Sequence, residues 1–107
     1  MITIDYYRSG YRVIVEGHAG VAPKGHDIVC AAASALAYTL AANVDSLFTS
    51  GCAEEPSIVL EDGDADISCK PKPGMEAVAM LILDAVCIGF QMLSLRYPEY
   101  VCFRAHE

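Results

Sequence analysis

Cys30 is the residue of this sequence that is best placed to do chemistry. It opens a predicted helix, and the partial positive charge and free N–H groups of a helix N-terminus favour a thiolate. Two histidines precede it, His18 by twelve residues and His26 by four. An imidazole beside a thiol can act as general base and then as general acid. These residue types predict a cysteine nucleophile that attacks a peptide carbonyl.

His18 is the better partner for Cys30 of the two histidines. It follows a predicted strand and lies between Gly17 and Gly20, which is typical of a tight, accessible turn. His26 is nearer in sequence, but it directly precedes the helix cap, where its ring is expected to point away from the helix axis. We therefore predict His18 as the base and place His26 in a substrate loop or in solvent. The predicted substrate-loop residues are Gly17, Ala19, Gly20, Gly25 and His26. Residues 19–25 of this loop are predicted to close over a bound peptide.

Asp27 and Ser34 lie close to Cys30 in the predicted helix. Asp27 suits the helix N-cap, where its carboxylate accepts from the N–H of Val29 or Cys30. The sequence also allows a second role, in which the carboxylate orients His18. Ser34 lies one turn beyond Cys30 on the same helix face, and its hydroxyl has the alternative of bonding the carbonyl of residue 30. Backbone N–H groups at the helix start, that of Cys30 included, are expected to stabilise an oxyanion.

The same residues have alternatives that involve no catalysis. Most free cysteines are small buried hydrophobes, and a packed Cys30 would make the chain a binding module for a basic protein. A metal site built from His18, His26 and Cys30 is a third hypothesis, but its spacing matches no standard zinc signature. We expect neither a metal nor another cofactor. The remaining cysteines, which we expect to be structural, are Cys52, Cys69, Cys87 and Cys102.

Two runs of residues resemble the family of ribosomal-processing cysteine proteases known as Prp. The runs are Gly17-His18-Ala19-Gly20 and Gly25-His26-Asp27-Ile28-Val29-Cys30-Ala31-Ala32, followed by Ser34. The resemblance implies that His18 and Cys30 are the catalytic pair and that Asp27 and Ser34 belong to the motif and support the pair. It also implies an endopeptidase that removes a short N-terminal extension from a ribosomal protein of the large subunit. The alternative is a related protease whose substrates are phage capsid or scaffold proteins.

Hydrophobic periodicity predicts an α+β fold with the order ββαββαβ. Alternating residues on either side of Ser9-Gly10 predict one hairpin, and Asp62-Gly63 predicts the turn of a second. The order implies a two-layer sandwich, one mixed β-sheet packed with two helices, in a single domain over residues 1–107. The predicted elements are strands at 2–7 and 11–16, a helix from Asp27 to about Phe48, strands at 58–61 and 67–69, a helix from Met75 to about Tyr97, and a last strand at 101–104.

The first predicted helix is apolar around almost its whole circumference, which predicts burial on more than one side. The second is long enough to cross a membrane, but Asp84 interrupts it, and a central Asp costs roughly 2.5 to 3.5 kcal/mol on insertion scales. We therefore predict a buried helix of a soluble protein and no membrane contact. The apolar surplus of the two helices predicts a homodimer, and the resemblance implies the same.

The net charge and the cysteines limit which binding partners and which cellular compartment are expected. Seven Lys and Arg against fourteen Asp and Glu give a net charge of −7, which disfavours direct nucleic-acid binding. Complementary charge favours a basic polypeptide partner, although an acidic surface also serves solubility alone. Five cysteines without a Cys-x-x-Cys pair, and no secretory signal pattern at the N-terminus, predict a cytoplasmic protein.

Overall fold

The computed structural model describes residues 1–23 and 27–107, so the predictions for Gly25 and His26 lie outside the described residues. The predicted order of elements is confirmed, and the last strand extends two residues further than expected. The elements are β1 (Ile2–Tyr7), β2 (Arg12–Glu16), α1 (Ile28–Thr49), β3 (Ser57–Glu61), β4 (Asp64–Ser68), α2 (Glu76–Arg96) and β5 (Val101–His106).

The five strands form one mixed sheet in the order β3-β4-β2-β1-β5. Both predicted hairpins are present as antiparallel pairs, β1 with β2 and β3 with β4. The strands β2 and β4 are also antiparallel, whereas β1 and β5 are parallel. The α+β prediction is therefore confirmed. The sheet has β3 and β5 as its two edges.

The core lies between one face of the sheet and the two helices. In β1 the side chains of Ile2, Ile4 and Tyr6 are buried, which is the period of two expected for a strand covered on one face. The helices also contact each other closely, because a β-carbon at Gly89 would lie 2.7 Å from Cδ2 of Leu36. The absence of a side chain at Gly89 thus permits the approach of α2 to α1.

The prediction that α1 is buried on more than one side is wrong. Each helix turns a single stripe toward the sheet and the other helix, and leaves other apolar side chains in solvent. One sheet covered on one face offers a helix only one packing surface. The buried residues of α1 are Val29, Ala33, Ala37, Leu40, Ala41, Val44 and Leu47, and those of α2 are Ala79, Leu83, Cys87 and Phe90.

Asp84 fixes α2 to the sheet. Its carboxylate accepts hydrogen bonds from the hydroxyl of Tyr6 at 2.7 Å and from the guanidinium of Arg8 at 2.9 and 3.1 Å. The bonds from Arg8 hold the pKa of this carboxyl below its ordinary value. Although α1 and α2 are each long and apolar enough to cross a membrane, the charge that interrupts α2 is paired with β1.

The other face of the sheet is polar. Asp5 accepts both arms of the Arg104 guanidinium at 2.8 and 2.9 Å, and its Oδ1 lies 2.8 Å from Nε2 of His106. Arg12 on β2 makes a similar two-armed pair with Asp66 on β4. These pairs join neighbouring strands and supply polar partners on the face that no helix covers.

Candidate active site

His18 and Cys30 line the same cleft, which lies between the first half of α1 and the β3–β4 hairpin. The end of β2 carries His18 there, two residues beyond Glu16, and the first turn of α1 carries Cys30. The Cys30 side chain is half-buried, whereas His18 is exposed. The cleft is lined by Ile2, Val15, Gly17, His18, Cys30, Ala33, Ser34, Ala37, Tyr38, Leu60, Glu61, Asp62, Gly63, Asp64 and Ala65.

Asp27 is the N-cap of α1, as predicted. Its Oδ1 accepts from the N–H groups of Val29 at 3.0 Å and Cys30 at 2.9 Å, and its Oδ2 accepts from Val21 at 3.1 Å. The bond from the Cys30 N–H, with those from Val21 and Val29, lowers the pKa of Asp27 and keeps it ionised. The carboxylate thus holds the loop after His18 against the start of the helix. Among the described residues, no hydrogen bond joins Asp27 to His18.

The expected oxyanion role of the Cys30 N–H is not supported, because that N–H donates to Asp27. A different backbone donor lies at the sulfur. The N–H of Ala19, which is itself buried, donates to Sγ of Cys30 at 3.3 Å. The loop residue that follows His18 therefore supplies a hydrogen bond to the thiol, a role that the sequence pattern did not indicate.

The turn of the second hairpin lies directly on the His18 ring. A β-carbon at Gly63 would lie 2.5 Å from Nε2 and 3.0 Å from Cε1 of His18. Gly63 also has a left-handed φ of 72°, and its carbonyl accepts from the N–H of Gly17 at 2.9 Å. Asp62-Gly63 was predicted as a turn only. Its contact with His18 depends on the pairing of β4 with β2, and no local signal reveals that pairing.

Ser34 lies beside Cys30 in the cleft and also lines a second cavity that extends over Gly20, Ala22 and Asp27. Its hydroxyl makes no hydrogen bond to the carbonyl of Cys30 among the contacts of residues 1–23 and 27–107. The predicted loop residues Gly17 and Gly20 each line one of the two cavities. The sequence pattern did not indicate Tyr38 and Leu60, which give one part of the cleft an apolar wall.

The other cysteines differ from Cys30 in their surroundings. Burial raises the pKa of the Cys69 thiol, and burial together with the charge of Asp84 raises that of Cys87 to about 12. Cys52 and Cys102 are half-buried but do not line the cleft. Cys30 is therefore the cysteine that combines a position in the cleft with a neighbouring imidazole.

Comparison with known proteins identifies the family. The family model described as cysteine protease Prp matches residues 1–102. The chain belongs to the cysteine protease Prp family. A ribosomal processing cysteine protease Prp of Staphylococcus aureus is 30% identical over 89 residues, which are 83% of this chain and 80% of that protein. The protein is therefore a cysteine protease of the ribosomal-processing family.

Two solved structures of Prp from S. aureus share the fold. One, in complex with a covalently linked product peptide, has a TM-score of 0.76 at 31% identity and covers 98% of this chain and 99% of its own. The other, in complex with a substrate peptide, has a TM-score of 0.70 at 29% identity and covers the same shares of the two chains. Both likenesses extend over nearly the whole of each chain.

Substitutions of Asp27 distinguish its role as a helix cap from the contribution of its negative charge to stability. Asn caps a helix about as well as Asp but carries no charge, so Asp27→Asn should unfold slightly below the wild-type temperature at neutral pH, and Asp27→Ala several degrees lower. The lowered pKa of Asp27 contributes stability above the ordinary value near 4, and this contribution is lost as pH falls through the folded-state pKa. As pH is lowered from 7 to 3, the unfolding temperature of the wild type should therefore fall toward that of the Asn variant. An Asn variant as unstable as the Ala variant at pH 7 would contradict the capping role.

Gly63→Ala should disturb His18. The added methyl group collides with the imidazole, and we expect peptidase activity to fall roughly 10²-fold, the cost of a misplaced reacting group, with a shifted ring resonance of His18 in NMR spectra. Gly74→Ala is the matched control, because Gly74 has a similar φ of 89° but nothing within 4 Å of the added carbon. Equal losses of activity in the two variants would show that backbone strain, rather than contact with His18, is responsible.

Proposed function

We propose that Cys30 is the nucleophile and His18 the general base of an endopeptidase that removes the N-terminal extension of a large-subunit ribosomal protein. The observation that carries this proposal is the shared cleft, which is lined by the half-buried Cys30, the exposed His18 and an apolar wall. The family match and the peptide complexes of the S. aureus relatives support the same activity.

The reaction begins with transfer of the Cys30 proton to His18. The resulting thiolate attacks the peptide carbonyl carbon, and the tetrahedral intermediate expels the amine, which takes its proton from His18. Water then attacks the thioester with His18 as base, and the acid product leaves. The N–H of Ala19 stabilises the thiolate before attack, because it already donates to Sγ. In the tetrahedral intermediates, where the former carbonyl oxygen is negatively charged, the same N–H contributes to the oxyanion site.

The charge of the cleft favours a cationic substrate. Glu61, Asp62 and Asp64 line it near His18, on a chain whose net charge is −7. A basic polypeptide such as a ribosomal protein is attracted by that field, whereas nucleic acid is repelled. The five cysteines are free thiols, which suits the reducing cytoplasm where ribosomal proteins are made.

Cleavage of ribosomal proteins by the purified enzyme tests the proposal. Full-length large-subunit proteins with N-terminal extensions should lose a short leader, which mass spectrometry of the products will locate. Cys30→Ala should abolish cleavage with an unchanged unfolding temperature, because the first turn of α1 accommodates a small side chain. His18→Ala should lower the rate roughly 10² to 10⁴-fold, and His26→Ala much less. A larger loss for His26→Ala would reverse the assignment of the base, and normal turnover by Cys30→Ala would exclude the nucleophile.

A homodimer formed through α2 is the second part of the proposal. One face of this helix carries apolar side chains spaced alternately by three and four residues, the spacing of a helix–helix seam. These side chains are exposed, and Leu81 is the most exposed of them at 72%. A second copy would remove this surface from water, and the paired charge of Asp84 favours that occupant over lipid. The seam consists of Val78, Leu81, Ala85, Ile88, Met92 and Leu95.

Charge placed in the seam should dissociate the dimer. The double variant Leu81→Lys and Ile88→Lys is expected to sediment as a monomer at micromolar concentration, because two ammonium groups per chain would have to be buried. Gln91→Lys is the control, since Gln91 is exposed on the same helix beside the seam. Wild-type protein that sediments as a monomer at that concentration would contradict the dimer.

A further inference from the structure

The strand β3 is an edge strand without the usual protection of an edge. It pairs with β4 on one side only. All five of its residues are exposed, and its centre is apolar, with Ile58 36%, Val59 38% and Leu60 38% exposed. Edge strands normally carry an inward charge, a lysine, a proline or a bulge that prevents further pairing. The opposite edge, β5, has such a device in Arg104, which is held by Asp5.

The end of β3 leads into the cleft. Leu60 and Glu61 line the cavity that also contains His18 and Cys30. The register pairs Leu60 with the buried Ala65, which places Leu60 on the helix-facing side of the sheet. A strand added beside β3 would therefore turn every second side chain toward α1, where the cleft is apolar.

We infer that an extended substrate peptide pairs with β3 as an additional strand and so delivers its scissile bond to Cys30. This inference rests on the proposed function in taking Cys30 as the nucleophile. Main-chain hydrogen bonds to an edge give affinity for many sequences, and alternate side chains in a groove give specificity. Five residues of β3 span about 17 Å, so several substrate residues on one side of the scissile bond take part. If a second copy of the chain paired with β3 instead, it would occupy the backbone groups that lead into the cleft, and the peptide could not pair there.

Amide hydrogen exchange of the Cys30→Ala protein tests this pairing without cleavage. The probe is the substrate peptide used in the S. aureus complex, added to ¹⁵N-labelled protein. We expect alternate amides of β3 to exchange at least about tenfold more slowly with peptide, the effect of one net hydrogen bond. The amides of β5, the other edge, are the internal control and should not change. Unchanged β3 amides, protection of β3 by increasing protein concentration alone, or failure of the peptide to bind would each overturn the inference.

Backbone changes in the two partners give a second measurement. Single N-methyl groups placed along the peptide should weaken binding at every second position by about tenfold, because alternate N–H groups point toward the partner strand. Losses without this period would overturn the inference. In the protein, Ile58→Pro and Val59→Pro remove adjacent N–H groups that point to opposite sides of β3. The variant that keeps the higher unfolding temperature should bind the peptide about tenfold more weakly, and full affinity in that variant would contradict the pairing.

The outcomes separate this inference from the proposed function. Alternate protection in β3 with a peptide that the wild type leaves uncut would support the pairing and contradict the activity proposed for Cys30. Cleavage by wild type without protection in β3 would support the activity and overturn the pairing.

Discussion

The carboxylate of Asp27 is the constraint on which the site depends. It accepts from two N–H groups at the start of α1 and from Val21 in the loop after β2. A helix start leaves N–H groups without intrahelical partners, and a single anion that satisfies two of them also determines where the helix begins. The third bond makes the position of the loop depend on the same anion. The N–H of Ala19 then comes within hydrogen-bond distance of the Cys30 sulfur.

The backbone N–H groups of the site have two different uses, one in the helix cap and one beside the Cys30 sulfur. The N–H of Cys30 is used by the cap, so a developing negative charge has to be stabilised by other groups. The loop supplies one in Ala19, which belongs to the segment that also carries His18. His18 and this backbone donor therefore lie on one segment, and a displacement of the loop would affect both.

The second hairpin contributes the opposite wall of the site. Its turn lies on the imidazole through Gly63, and the acidic residues around that turn give the cleft its charge. A glycine there satisfies two independent requirements, a left-handed backbone and the absence of a side chain beside His18. The hairpin also contains the edge strand β3, so the contact with His18, the acidic residues of the cleft and the proposed pairing with a peptide main chain all involve one β-hairpin.

The sequence by itself determined the elements, the order ββαββαβ and the cap at Asp27, and it indicated Cys30 and His18 as candidate site residues. Each of these depends on local chemistry: the period of apolar residues, a turn pair such as Asp62-Gly63, or the proximity of a thiol to a helix start. Only the tertiary structure decided that Gly63 touches His18, that Ala19 rather than Cys30 offers an N–H, and that the helices bury one stripe each. These features arise where segments distant in the chain pack together, and no periodicity within one segment records which partner it will meet.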